Sequence, residues 1–127
     1  MIRRYKDTFI ATTRIETAGT FEISRVPIAP GEDAIGSATF RIGVKGATAN
    51  RSVLDEPRVR FVKTGSTLVV GSPTRPEAPH VGSGLTGASL AFVADGTDLV
   101  VRLTLANPVV IKVAVSCDVD GFYGDDE

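Results

Sequence analysis

The sequence predicts an all-β fold: an antiparallel β-sandwich, jelly-roll or Ig-like, of about seven or eight strands, closing in a three-stranded meander. Apolar residues recur at every second position along most of the chain, the spacing of half-buried strands, while a helical period is nearly absent. Clusters of Gly, Pro, Asn and Asp divide these runs at short intervals. A chain of 127 residues is long enough to bury one core, so a single domain is expected over 1–127, with residues 1–8 as an N-terminal attachment arm and 120–127 as an acidic tail.

Phe9 and Ala11 begin the first candidate strand. In "TFEISRV" (20–26), Phe21 and Ile23 face one side and Glu22 and Ser24 the other. Pro27, Pro30 and Gly31 then turn the chain into "ATFRIGVK" (38–45), where Phe40, Ile42 and Val44 alternate with Arg41, Gly43 and Lys45. Residues 46–56 have no clean period and read as a loop with one helical turn. "RVRFVK" (58–63) points Val59 and Phe61 inward, and Gly65-Ser66 turns it into "TLVVGS" (67–72).

The stretch 72–87, "SPTRPEAPHVGSGLTG", is rich in Pro and Gly and poor in bulky apolar residues, which places it at the surface as a semi-extended loop. Three strands follow, "SLAFVA" (89–94), "LVVRLTL" (99–105) and "VVIKVAVSCDV" (109–119), joined at Asp95-Gly96 and at Ala106-Asn107-Pro108. They are expected to pair in sequence as the meander. The last is the longest of the eight candidates, which implies a central place in its sheet. On its outer face and that of its neighbour, Val100, Val110 and Ala114 interrupt a polar series, which a neighbouring subunit would cover; scattered apolar surface residues are the plainer reading.

Charge excludes some functions. Fourteen Lys and Arg against fifteen Asp and Glu leave no net basic field for nucleic acid. Arg3, Arg4 and Lys6 gather near the start and Asp118, Asp120, Asp125, Asp126 and Glu127 near the end, an asymmetry that would let subunits dock head to tail, or simply two solvated termini. A single cysteine, Cys117, allows no internal disulfide, and its phase with Ile111, Val113 and Val115 predicts burial. No apolar run approaches a membrane span and no secretory signal is evident, so no membrane partner is expected.

Motifs with chemical content all have simpler readings. Asp95-Gly96-Thr97-Asp98 offers two carboxylates, too few for calcium, and suits a tight hairpin turn. "DVDGFYGDDE" lacks the spacing of a calcium loop. "GSGLTG" (82–87) spells a dinucleotide fingerprint but follows a proline-rich loop and leads into a strand, the wrong context. His80 has no evident catalytic partner, and no Cys or His pair has metal-ligand spacing. Glu22, Glu32, Asp33, Asp55 and Glu56 are the only carboxylates offered for glycoside hydrolysis, with no separation legible in sequence. No enzyme, cofactor or metal is expected.

Three stretches, "ETAGTFEISRVPIAPGED" (16–33), "STLVVGSP" (66–73) and "ADGTDLVVRLTLANPVVIKVAVSCDV" (94–119), together resemble a β-sandwich module of small virion proteins of tailed bacteriophages, found in tail fibres and related appendages or as head decoration. The resemblance implies a non-enzymatic building block made in the host cytoplasm, resident in the virion, and assembling with itself and other virion proteins. Arg3, Arg4, Tyr5 and Lys6 are then the candidate assembly arm. The alternative is a receptor- or glycan-binding module that uses the 46–56 and 72–87 loops, with Arg75, Glu77 and His80 as contact residues and a host surface receptor or glycan as partner.

Overall fold

The computed structural model describes residues 2–28 and 33–124. Ten strands form two antiparallel sheets: β1 (Ile2–Ile15), β2 (Gly19–Pro27), β3 (Ala34–Gly46), β4 (Ser52–Asp55), β5 (Arg58–Thr64), β6 (Thr67–Val70), β7 (His80–Val81), β8 (Ser89–Asp95), β9 (Asp98–Leu105) and β10 (Ile111–Gly124). Sheet A runs β1-β10-β3, and the far side of β3 is shared by β4, which continues to β7, and β5, which continues to β6. Sheet B runs β2-β9-β8. First and last strands pair, as do the second and the last but one, which is the wrapping of a jelly roll.

Period-two burial explains the core. On sheet A, Phe40, Ile42, Val59, Phe61, Val113 and Val115 point inward; on sheet B, Leu99, Val101 and Leu103 meet them. Cys117 lies in the same inward row of β10 and is buried, as its phase predicts. Gly121 and Gly36 sit side by side, flanked across the sheet by Tyr5 and Phe61, so two aromatic rings border a stretch of backbone that carries no side chains.

Several expectations are corrected. Residues 46–56 hold no helical turn: β4 lies there, and β3 pairs with β4 and β5 in one continuous register, Ile42 opposite Asp55 and Thr39 opposite Arg58. The ladder is interrupted at Pro57, which has no N–H to give, while its carbonyl accepts from the Phe40 amide at 2.8 Å. The closing meander is also overturned. β8 and β9 form the expected hairpin, but β10 crosses to sheet A between β1 and β3. Its central place is as expected.

β2 changes phase partway. A bulge between Glu22 and Ser24 buries both Ile23 and Ser24, so Ser24 does not share the outer face with Glu22. The first strand reaches Ile2, not only Phe9, and so takes in the expected arm; residues 120–124 of the expected tail belong to β10. Pro30, Gly31 and Glu32 of the expected turn and residues 125–127 lie outside the described residues.

Candidate functional site

The Asp95-Gly96-Thr97-Asp98 hairpin is a turn, with Gly96 at φ 60° and Asp95 paired to Asp98. Its carboxylates are nonetheless organised. The Arg25 guanidinium donates to Asp95 Oδ2 at 2.7 Å, to Asp98 Oδ2 at 2.8 Å and to Glu22 at 2.7 and 3.2 Å. The β2 bulge makes this reach available, because it puts Glu22 and Arg25, three residues apart, on one face. Hydrogen bonds from Arg25 hold the Glu22 and Asp95 carboxyls below the usual carboxylate range. Beside this cluster Val100, opposite Arg25 and Val93, is fully buried within its own chain and needs no second subunit to cover it.

The 72–87 stretch is pinned, and so differs from a free binding loop. Arg75 grips the buried Asp55 carboxylate through two hydrogen bonds of 2.7 and 2.9 Å. Thr74 bridges to Arg58 in backbone pairing, and His80 pairs with Leu54 while its Nε2 lies 3.2 Å from Ser52 Oγ. Glu77 sits exposed in a bend. The structure therefore brings the 46–56 and 72–87 segments together, as the binding-module reading needs, but spends their polar groups on each other. "GSGLTG" has a packing role: a Cβ on Gly82 would stand 2.3 Å from the Asn50 carbonyl oxygen, so glycine lets the two backbones touch.

The basic N-terminal residues are strand, not arm. Arg3, Arg4, Tyr5 and Lys6 pair with Tyr123, Phe122, Gly121 and Asp120. Arg4 makes two hydrogen bonds to Asp120, at 3.2 and 3.0 Å, and these depress the Asp120 carboxyl. The Arg3 guanidinium lies 4.5 Å from the Tyr123 ring centre, and Tyr5 meets the same ring edge-on. Arg4 and Lys6 of the basic start thus lie beside Asp120, and Thr8 beside Asp118; Asp125, Asp126 and Glu127 of the acidic end lie outside the described residues.

What sequence reasoning missed is the outer face of sheet A. Near the termini, Phe122, Ile35, Val62 and Val69 form one row across four adjacent strands, each about half exposed or more. The next two rows are charged, Lys6-Asp120-Ser37-Arg60 and Thr8-Asp118-Thr39-Arg58. A shallow depression of about 580 Å³ lies among Arg4, Ser37, Arg58, Arg60, Asp120 and Phe122. At the opposite end Arg14, Lys112 and Lys45 are direct cross-strand neighbours above a second depression of about 930 Å³ floored by Gly43 and Ala114. Arg14 is paired with Glu16 at 3.0 Å, which leaves Lys112 and Lys45 as the neighbouring like charges of this row, and these repel other cationic surfaces. The signal was present: Ile35, Val62 and Val69 each occupy the polar phase of their strands.

Three of the carboxylates suggested for hydrolysis are occupied within the chain, Glu56 is exposed, and Glu32 lies outside the described residues. Glu22 is on Arg25, Asp55 on Arg75, and Asp33 accepts from the Gly65 amide at 2.8 Å. The Cys117 thiol is pushed up to about 12 by burial, then by Asp118, so it is no nucleophile at neutral pH. Among the described residues no group of three or more His, Cys, Asp and Glu could hold a metal ion, and no helix is long and apolar enough to cross a membrane.

Fold and site together define an antiparallel sandwich of jelly-roll wrapping whose unsatisfied surface is concentrated on one outer sheet face. Its fold is similar to that of the Acinetobacter baumannii phage AM24 tailspike protein, with TM-score 0.54 and 9% identity over 96% of this chain and 27% of that one. It is similar too to a tailspike protein of A. baumannii bacteriophage Fri1, a capsular polysaccharide depolymerase, with TM-score 0.50 and 17% identity over 92% of this chain and 17% of that one. The chain therefore spans about a quarter or less of these proteins. No protein-family model matches the sequence, and no curated protein matches it.

Proposed function

We propose that this domain is a structural module of a tailed-phage virion, part of a tail spike or fibre, that carries no catalysis and associates with further copies and with other virion proteins. The observation that carries the reading is the fold likeness to a phage tailspike over 96% of the chain. The state of the carboxylates supports the non-catalytic half. Glycoside hydrolysis needs one acid held above its ordinary value, and among the described residues the shifted carboxyls Glu22, Asp95 and Asp120 are all held below it by arginine.

Quantitative mass spectrometry of purified particles, with antibody labelling in the electron microscope, tests the location. Label at the tail in few copies supports the reading; label over the head, or absence from particles, sinks it. Incubation with purified capsular polysaccharide tests the second half, and release of new reducing ends would show the domain to be an enzyme.

A further inference from the structure

We propose that the half of sheet A's outer face nearest the termini is a two-fold interface with a second copy of this chain. The proposal makes specific the self-association contained in the functional reading above, and it rests on the pattern of that face. Sheets pack face to face with strands nearly aligned. A two-fold axis parallel to β3 then lays β10 of one copy over β5 of the other, and the reverse.

Under that operation the rows are self-complementary. Ile35 on the axis meets Ile35 of the second copy, and Phe122 lies over Val62. Asp120 and Asp118, in the β10 column, lie over Arg60 and Arg58, in the β5 column, because each acid already shares a row with its arginine across β3. Within the chain Asp120 is held by Arg4 and Asp118 by Thr8, whereas among the described residues neither Arg58 nor Arg60 donates a side-chain hydrogen bond or forms an ion pair. Arg60 borders the apolar row and Arg58 lies one row further on, within electrostatic reach of Asp120 of its own chain, both with their hydrogen-bond donors unspent. An isologous contact uses one patch twice, and this patch carries both signs in mirrored columns.

The same operation limits the contact. Arg41, next along β3, would meet its own copy on the axis, and Lys112 and Lys45 beyond it would repel the matching pair. Five strands about 4.8 Å apart by three outward positions about 6.8 Å apart give a footprint on the order of 500 Å² per copy, the size of a weak, specific contact. Contacts of this size sit at the weak end of specific interfaces, so the test is run at high protein concentration.

Sedimentation velocity at tens of micromolar protein is the experiment. The unaltered chain is expected as a dimer in exchange with monomer. Asp118→Lys with Asp120→Lys, and separately Arg58→Glu with Arg60→Glu, are each expected to weaken association at least about tenfold. Mixing the two variants restores both sets of pairs and hence a dimer of one copy each. Ile35→Glu, at an exposed position with no ion pair to lose, is expected to leave the fold intact and give monomer, and it decides the matter if a charge variant does not fold. A monomeric unaltered chain, a dimer indifferent to these changes, or a mixture that stays monomeric overturns the interface. Particle labelling can fail without touching this result, and the reverse.

Discussion

Asp55 and Arg75 form a pair whose two halves are not equivalent, because the carboxylate is buried and the guanidinium is partly in water. Removing the arginine strands a charge that cannot regain its hydration. Arg75→Ala should therefore cost about 3 kcal/mol in urea denaturation, and Arg75→Lys less, since it keeps the charge but loses the two-pronged geometry. A loss within error of zero for the alanine variant would mean that water reaches Asp55. The Arg25 cluster is exposed and acts through pH instead. Glu22 and Asp95 have folded pKa values below their unfolded ones, so their stabilisation is complete above the unfolded value near 4 and disappears as pH falls through the lower folded value. Arg25→Gln should flatten the loss of urea midpoint between pH 4 and pH 2, and an unchanged slope would count against the assignment.

Strand by strand, the tightest constraint is where β10 lies against β3. A Cβ on Gly121 would stand 2.2 Å from the Ile35 carbonyl oxygen and 2.7 Å from Gly36 Cα, both backbone atoms that cannot swing aside. Gly121→Ala should cost about 2–3 kcal/mol by forcing the central strands apart, whereas Gly96→Ala, with open space around it, should cost only the roughly 1 kcal/mol of a left-handed residue. Equal losses at the two positions would refute the close approach. Elements also differ in how openly sequence announces them. β5, β9 and β10 were legible because inward apolar residues alternate cleanly through them. β4 and β7, at four and two residues, are too short to show a period, and their pairing depends on partners far along the chain. The phase of β2 failed at its bulge, which no single residue type marks. The 72–87 segment was correctly placed at the surface, but the grip of Arg75 on Asp55 could not be read from residues twenty apart. Each member of the apolar row on sheet A showed as an apolar residue in a polar phase, but that they form one row depends on strand pairings that alternation does not give.

At the scale of the whole molecule the decisive feature is that β1 and β10, far apart along the sequence, are direct neighbours in sheet A. β10 fills the gap between β1 and β3, and its pairing with β1 joins residues as distant as Ile2 and Gly124. Until β10 arrives, sheet A has no centre, so the fold depends on closing its longest loop, and such topologies fold slowly. Alternation along β10 revealed its length and burial but not this partner, since period two says which face is inward and nothing about which sheet receives it. The topology makes a sharp prediction. Joining the termini through residues 125–127 and a short Gly-Ser linker, and reopening the chain between the exposed Ala106 and Asn107, converts the β10–β1 pair into a local hairpin without touching a buried contact. The permuted chain should keep its β-sheet circular dichroism and lie within about 1 kcal/mol of the parent in stability, because no packed group is lost. Its refolding, followed by stopped-flow tyrosine fluorescence through Tyr5 and Tyr123, should be faster, because the β10–β1 pairing, formerly the most distant in sequence, becomes local and β10 comes closer in sequence to β3. A permuted chain that folds to the same state at the parent's rate would place the slow step in the pairing of sheet B or in the β3–β5 hairpin, and one that fails to fold would mean that the Ala106–Pro108 crossover holds the two sheets together.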